Sequence, residues 1–303
     1  MPMEYLIERI QKLKEKRRAV FLVHNYQIPE VQEIADYTGD SLGLSEEARK
    51  TRAEVIVFCG VHFMAETAAI LNPEKTVILP DLEAGCPMAN MISAPELVDF
   101  KSRHPGLPVV CYVNTTAAVK AESDIACTSA NAVAVLKSLP GTEMIFVPDK
   151  YLGNWAGNIA GKRVQAWNGY CPTHVLIQAE DIDRARREHP RALVLAHPEC
   201  TPAVTGRADQ VLSTGGMIKL VRESSDSEFI VGTETGILHR LRQENPGKLF
   251  FPANEKAVCP NMKKINLEKI AWSLEEMKNV VKVDPRIRER AYQTIDRMLK
   301  VKS

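Results

Sequence analysis

Three of the chain's seven cysteines are followed directly by proline, in EAGCPMAN at Cys86, NGYCPTH at Cys171 and AVCPNMKK at Cys259. The first two lie 85 residues apart and the last two 88. A cysteine in a reducing compartment is most often a small core hydrophobe. Cys59 and Cys111, inside apolar runs, read that way; Cys127 in ACTSAN reads as packing, and Cys200 in HPEC is either structural or close to a site. Scattered core residues do not keep a near-constant interval. Three thiolates gathered from distant segments would bind a metal on one side and leave the other open. Zinc with three cysteines and a water meets that description, and so does an iron–sulfur cube with one iron free of protein ligands. The spacing fits neither the close C-x-x-C pairs of structural zinc nor the clustered runs of electron-transfer ferredoxins, which leans toward the cube. An iron open to substrate suits Lewis-acid chemistry, because electron transfer gains nothing from a vacant position.

The elements that must carry these thiols repeat with the same period. The strand-like runs VFLVHNY, VVCYVN and LVLAHPE end in polar pairs: His24 and Tyr26, Tyr112 and Asn114, His197 and Glu199. An aspartate follows each (Asp36, Asp124, Asp209), and five residues later comes a hydroxyl (Ser41, Ser129, Thr214). A second apolar run comes next (VIVFCG, MIFVPD, FIVGTE), then a third (VILPD, VQAWN, LFFPA), then the Cys-Pro. Four markers in one order in three units amount to an internal triplication. The stretches between them, such as EIADYTGDSLGLSEEARK and FMAETAAILN, carry helix formers at helical spacing. Each unit therefore reads strand, helix, strand, helix, strand. That predicts an α/β fold of three homologous three-layer αβα domains, each a small parallel sheet covered by helices. The expected boundaries are 1–87, 88–172 and 173–303, the last including C-terminal helices. A helix over 285–300, with Ile287, Ala291, Ile295, Met298 and Leu299 on one side, is expected to pack back on the first unit.

The length of 303 residues suits two or three domains. With 39 basic against 38 acidic side chains the formal charge is +1, which supports neither a nucleic-acid nor an anionic-membrane partner. The N-terminal MPMEYLIERIQKLKEKRR places Leu6, Ile7, Ile10 and Leu13 on one helical face. It reads as neither a signal nor a transit peptide, and no apolar run approaches a membrane span. An odd cysteine count without a disulfide framework predicts a cytoplasmic protein with reduced thiols.

Ligands of parallel α/β sheets sit outside the carboxyl ends of the strands, where all three polar pairs lie. Ser41, Ser129 and Thr214 fall at the following helix starts, whose free N–H groups favour an anion. Three units about a pseudo-threefold axis would aim these side chains and the three cysteines into one central cavity. Repeated polar residues can also be helix caps and strand ends. The aspartates, identical in every unit, are read as structural in that way. The His, Tyr and Glu positions are read as functional, because their positions match between units while their types differ.

HNYQIPE, GDSLGL, FMAET, CPMAN, YVNT, CTSANA, GYCPTH, HPEC, STGGM, GTETGI and AVCPNMKK together resemble quinolinate synthase, the A protein of bacterial and archaeal NAD biosynthesis. The resemblance runs from about residue 20 to 265. It implies one [4Fe–4S] cluster at the centre of three αβα domains, held by Cys86, Cys171 and Cys259. It implies condensation of iminoaspartate with dihydroxyacetone phosphate to quinolinate, releasing phosphate and two waters, with iminoaspartate supplied by another enzyme. Carried over by position, substrate binding falls to His24, Ser41, Tyr112, Asn114 and Ser129, and to His197, Glu199, Ser213 and Thr214. Tyr26 and Glu199 are the acid/base candidates, with His197 and His174 orienting carboxylates or sharing the proton traffic. Some family members carry a C-x-x-C thiol pair at the third ligand; here the residue three past Cys259 is Met262, so no disulfide switch is expected there. The chain is expected to be a monomer. Two other readings compete: a hydro-lyase with an open cluster acting on another hydroxy acid, and a non-catalytic metal sensor. A sensor would need a partner-binding element, and no DNA-binding helix pair or basic arm is visible.

Overall fold

A computed structural model describes residues 3–301. Helix α1 (Met3–Arg17) precedes a first unit of β1 (Ala19–His24), α2 (Pro29–Glu33), β2 (Tyr37–Gly39), α3 (Ser41–Lys50), β3 (Val55–Cys59), α4 (His62–Leu71) and β4 (Thr76–Ile78). The second unit runs α5 (Ala94–Ser102), β5 (Val109–Tyr112), α6 (Ala117–Ala121), β6 (Ile125–Cys127), α7 (Ala132–Ser138), β7 (Glu143–Val147), α8 (Lys150–Ala160) and β8 (Arg163–Ala166). The third runs α9 (Ala179–Glu188), β9 (Leu193–Ala196), α10 (Pro202–Thr205), β10 (Gln210–Val211), α11 (Thr214–Glu223), β11 (Glu228–Gly232), α12 (Ile237–Glu244) and β12 (Leu249–Pro252). Helices α13 (Leu267–Glu276) and α14 (Pro285–Lys300) follow.

Each unit forms a four-stranded parallel sheet with the same strand order: β2-β1-β3-β4, β6-β5-β7-β8 and β10-β9-β11-β12. The central strands are continuous apolar runs, and all five residues of β3 are buried, as a sheet covered on both faces requires. The α/β triplication expected from the sequence is therefore present, with one strand more per sheet. The missed strands β2, β6 and β10 are two or three residues long, too short to show a pattern, and lie at the sheet edge beside the first strand.

The repeated aspartates explain that edge. They are structural, as expected, at strand ends and not as helix caps: each clamps the short strand to its neighbour. The Phe21 N–H donates to Asp36 Oδ2 at 2.7 Å, that of Val109 to Asp124 Oδ2 at 2.7 Å, and that of Val194 to Asp209 Oδ2 at 2.8 Å. The aspartates' own N–H groups return the bond, to Phe21 O at 3.1 Å, Val109 O at 3.0 Å and Val194 O at 2.9 Å. A backbone donor at the start of the strand would otherwise be left unpaired.

The C-terminal segment does not stay with the third unit. Helix α13 packs on α1, and the Arg17 guanidinium donates to Glu275 O at 2.7 Å. Val280 forms an antiparallel bridge with Ile78 at the edge of the first sheet. Helix α14 lies on α6 and β6 of the second unit as well as on α4, not on the first unit alone. Thr294 supplies the polar reason: its hydroxyl reaches Lys120 O at 2.9 Å and Ser123 O at 3.0 Å, carbonyls at the end of α6. Among the described residues no helix is long and apolar enough to cross a membrane.

The clamp can be weighed by mutation. Asp124→Ala strands the Val109 N–H and should lower the unfolding free energy by about 1–3 kcal/mol. This would appear as an earlier urea midpoint at unchanged slope. An unmoved midpoint would leave the repeated aspartate without energetic weight.

Candidate active site

The first and second strands of each sheet, and the third, open onto a single cavity with about 640 Å³ of atom-free space, part of it continuous with solvent. His24, Tyr26 and Ser41 reach it from the first unit; Tyr112, Asn114 and Ser129 from the second; His197, Glu199 and Thr214 from the third. Cys86, Cys171, Cys259 and His174 line it too. Ser213 does not: its Oγ accepts from Gly216 N–H at 3.1 Å and caps α11. Cys59, Cys111, Cys127 and Cys200 are buried and are not among the lining residues; the Cys200 thiol reaches Gly232 O at 3.5 Å.

Each Cys-Pro opens a short 3-10 turn, at Met88–Asn90, His174–Leu176 and Met262–Lys264. Proline suits the start of such a turn, where its missing N–H costs nothing and its φ is already set. The sulfur of Cys86 faces the N–H groups of Ala89 and Met88, that of Cys171 faces His174, and that of Cys259 faces Met262 and Asn261. Burial pushes all three thiols up, Cys86 to about 12. A thiolate set would therefore need a cation to replace the lost water.

The polar side chains form one connected network. His174 Nδ1 is 2.7 Å from Glu199 Oε2 and 3.1 Å from Cys171 Sγ. Its other nitrogen, Nε2, lies 2.8 Å from Thr233 Oγ1, which lies 2.5 Å from the Tyr26 hydroxyl. Tyr112 donates its hydroxyl to Glu199 Oε1 at 2.5 Å. Burial pushes the Glu199 carboxyl up, but the imidazoles of His174 and His197 beside it and the hydrogen bonds from His174 and Tyr112 outweigh that and hold it below the usual carboxylate range. Glu199 is thus ionised and can only accept. His174 Nδ1–H therefore donates to Glu199; with His174 neutral, its Nε2 accepts from the Thr233 hydroxyl, which accepts from the Tyr26 hydroxyl, itself 3.4 Å from the same nitrogen. Burial, then the Glu199 charge, raise the Tyr26 and Tyr112 phenols well above their ordinary value, so both rest protonated. His24 and His197 are each held down to about 3, chiefly by burial, and are neutral. His197 Nε2 is 3.2 Å from Ser129 Oγ, joining a second-unit hydroxyl to a third-unit histidine.

Sequence reasoning missed Thr233, Glu234 and Asp40. Thr233 and Glu234 follow β11 in FIVGTE, a repeat position whose counterparts are Gly60 and Val61, Pro148 and Asp149. Divergence between units at that strand end was the available signal. Glu234, fully buried, accepts from Cys259 N at 3.0 Å and Gly236 N at 2.7 Å, and pairs with Lys263 at 2.9 Å. It thereby holds the loop that carries the third cysteine. Asp40 caps α3 by accepting from Gly43 N at 2.9 Å. Its other oxygen lies so near the start of α11 that a Cβ on Gly215 would sit 2.6 Å from it, which only glycine permits.

Comparison with known proteins places the chain in a family. The family described as quinolinate synthetase A protein matches residues 8–300. Quinolinate synthase of Dehalococcoides mccartyi is 56% identical over 298 residues, 98% of this chain and 99% of that one. The protein of the same name from Thermodesulfovibrio yellowstonii is 54% identical over 97% of both chains. That of Methanosarcina barkeri is 53% identical over 98% of both. With a match along nearly its whole length, the chain belongs to the quinolinate synthetase A protein family.

Proposed function

We propose that this chain is a quinolinate synthase, condensing iminoaspartate with dihydroxyacetone phosphate and releasing phosphate and two waters. The observation that carries the reading is the convergence, on one cavity, of three Cys-Pro cysteines from three units beside the Tyr26–Thr233–His174–Glu199 chain. The donor set fits a [4Fe–4S] cluster: three half-buried cysteines, each with its sulfur facing backbone N–H groups, and no fourth cysteine among the lining residues. Cys86, Cys171 and Cys259 would hold it. When bound, it supplies Lewis acidity toward a substrate oxygen or nitrogen.

The chain's own residues do the rest. Both substrates are small anions, which hydroxyls and helix starts can hold without a basic patch. Ser41 and Thr214 stand at the first positions of α3 and α11, and Ser129 in the turn before α7. Asn114 Oδ1 is buried with no hydrogen-bond partner and waits for a donor on a ligand. Tyr26 is the acid/base group. Its proton leaves through Thr233 to His174 Nε2, while Glu199 holds the ring by accepting from Nδ1; the reverse path returns it. Tyr112 holds the second oxygen of Glu199 and so fixes the carboxylate plane. Iminoaspartate would come from a separate enzyme, and the chain would act as a monomer in the cytoplasm.

Anaerobic purification with iron and sulfide analysis and an absorption spectrum tests the cofactor. Cys86→Ser, Cys171→Ser and Cys259→Ser should each abolish cluster assembly, whereas Cys59→Ser should leave iron content unchanged. A fully loaded, active Cys171→Ser protein would overturn the ligand set.

Tyr26→Phe and Glu199→Gln should each lose about 10²-fold or more in turnover while keeping cluster content, the usual scale for a positioned acid or base. Thr233→Val should lose as much, and Thr233→Ser should recover most of it, because only the hydroxyl is needed. Turnover near wild type in Thr233→Val would remove that residue from the proton path.

A further inference from the structure

Two buried side chains outside the cavity make the same unusual contact in two different units. In α2, the Gln32 amide nitrogen reaches back to Asn25 O at 3.3 Å and Gln27 O at 2.8 Å. In α6, Lys120 Nζ reaches back to Val113 O at 2.7 Å and Thr115 O at 2.5 Å. Gln32 and Lys120 are 88 residues apart, the repeat interval, and each sits at the fourth position of its helix. The carbonyls they hold belong to the residues on either side of Tyr26 and of Asn114. The three neighbours of the Gln32 amide nitrogen are all carbonyls, the third being Gly236 O at 3.0 Å. Both side chains are buried, Lys120 completely; besides the two carbonyls its Nζ lies 5.6 Å from the centre of the Phe63 ring, and burying such a donor is costly if stability is the only return. The third unit lacks the device. Thr205 stands at the matching position and its hydroxyl meets only carbonyls of its own helix, at 3.4 Å. There Glu199 is already oriented by His174 and Tyr112, and Pro198 stiffens the backbone before it.

From this repeated contact we infer that Gln32 and Lys120 are positioning residues: each fixes the turn after the first strand of its sheet so that Tyr26 or Asn114 is aimed into the cavity. The inference rests on the function proposed above for those two residues. Tyr26 needs it because its hydroxyl must stay within reach of Thr233. Asn114 needs it because its side chain has no partner of its own to hold Oδ1 in place. In the first unit the hold is completed by Lys263, which donates to Tyr26 O itself.

Methionine at either position keeps the length and apolar stem but removes the donors. Gln32→Met should lower kcat about tenfold or more with KM little changed, since small displacements of a reacting group are costly. The same substitution in a Tyr26→Phe background should cost nothing further, because the residue it positions has already lost its function. In protein labelled with 3-fluorotyrosine, the fluorine resonance that disappears in Tyr26→Phe should shift or broaden in Gln32→Met. Lys120→Met should weaken binding of quinolinate about tenfold, with no added loss in Asn114→Ala. Lys120→Gln, which places the first unit's amide in the second, should restore part of that affinity. Equal losses in the single- and double-mutant backgrounds, or an unmoved Tyr26 resonance, would show that the contact merely satisfies carbonyls. Should Lys120→Met not fold, Lys120→Gln and the Gln32 pair decide the matter. If the wild-type protein makes no quinolinate, the functional proposal falls, while the fluorine resonance still judges the positioning.

Discussion

A carboxylate buried in protein must find its donors among side chains, because the water it left cannot follow it. Glu199 is 3% exposed and ionised, and its donors come from elsewhere in the chain. Tyr112 reaches it from the end of β5, and His174 from the turn that follows Cys171. Satisfying this one charge therefore requires the third unit to close against the second. Through Thr233 the same histidine meets Tyr26, so the first unit is drawn in as well. The polar contacts that join the three units at the cavity thus centre on a single desolvated charge.

The triplication supplied the positions, and divergence supplied the chemistry. Asp36, Asp124 and Asp209 stayed identical because each solves the same local problem, an unpaired strand donor at the edge of a sheet. His24, Tyr112 and His197 occupy one repeat position, and Tyr26, Asn114 and Glu199 another, but each set faces a different wall of a shared cavity. A site with three equivalent walls could hold a ligand symmetrically and would move no proton in a chosen direction. Replacing the walls by a phenol, an amide and a carboxylate gives the cavity a donor end and an acceptor end. The ionised Glu199 then raises the cost of a proton leaving Tyr112.

The loops that carry the cysteines are tied in by the same means. Glu234 holds the backbone of Cys259, and Lys263 bridges Glu234 to Tyr26 O, so the third-unit loop and the first-strand turn of the first unit move together. Asp40 meets the start of α11 where only a glycine leaves room. These contacts cross between units at the cavity rim.

The α/β class, the triplication, the three Cys-Pro positions and most cavity-facing side chains were legible in the chain itself. They are set by periodicities of two, of three to four, and of about 86 residues, each of which reflects a local or repeated requirement. The short edge strands were not legible, because two or three residues show no alternation, and their clamp joins residues fifteen apart. Thr233 was invisible for a different reason: a threonine after an apolar run looks like any strand end until Tyr26 and His174 arrive on either side of it. The same holds for α14, whose apolar face says that it must be covered but not by which unit. By itself the sequence determined which atoms can coordinate, donate and accept, since those depend on residue type and repeat position. Which donor meets which acceptor, and hence which groups are charged, was decided only by tertiary structure, because burial and a neighbour within hydrogen-bonding distance set a pKa and neither is local in the chain.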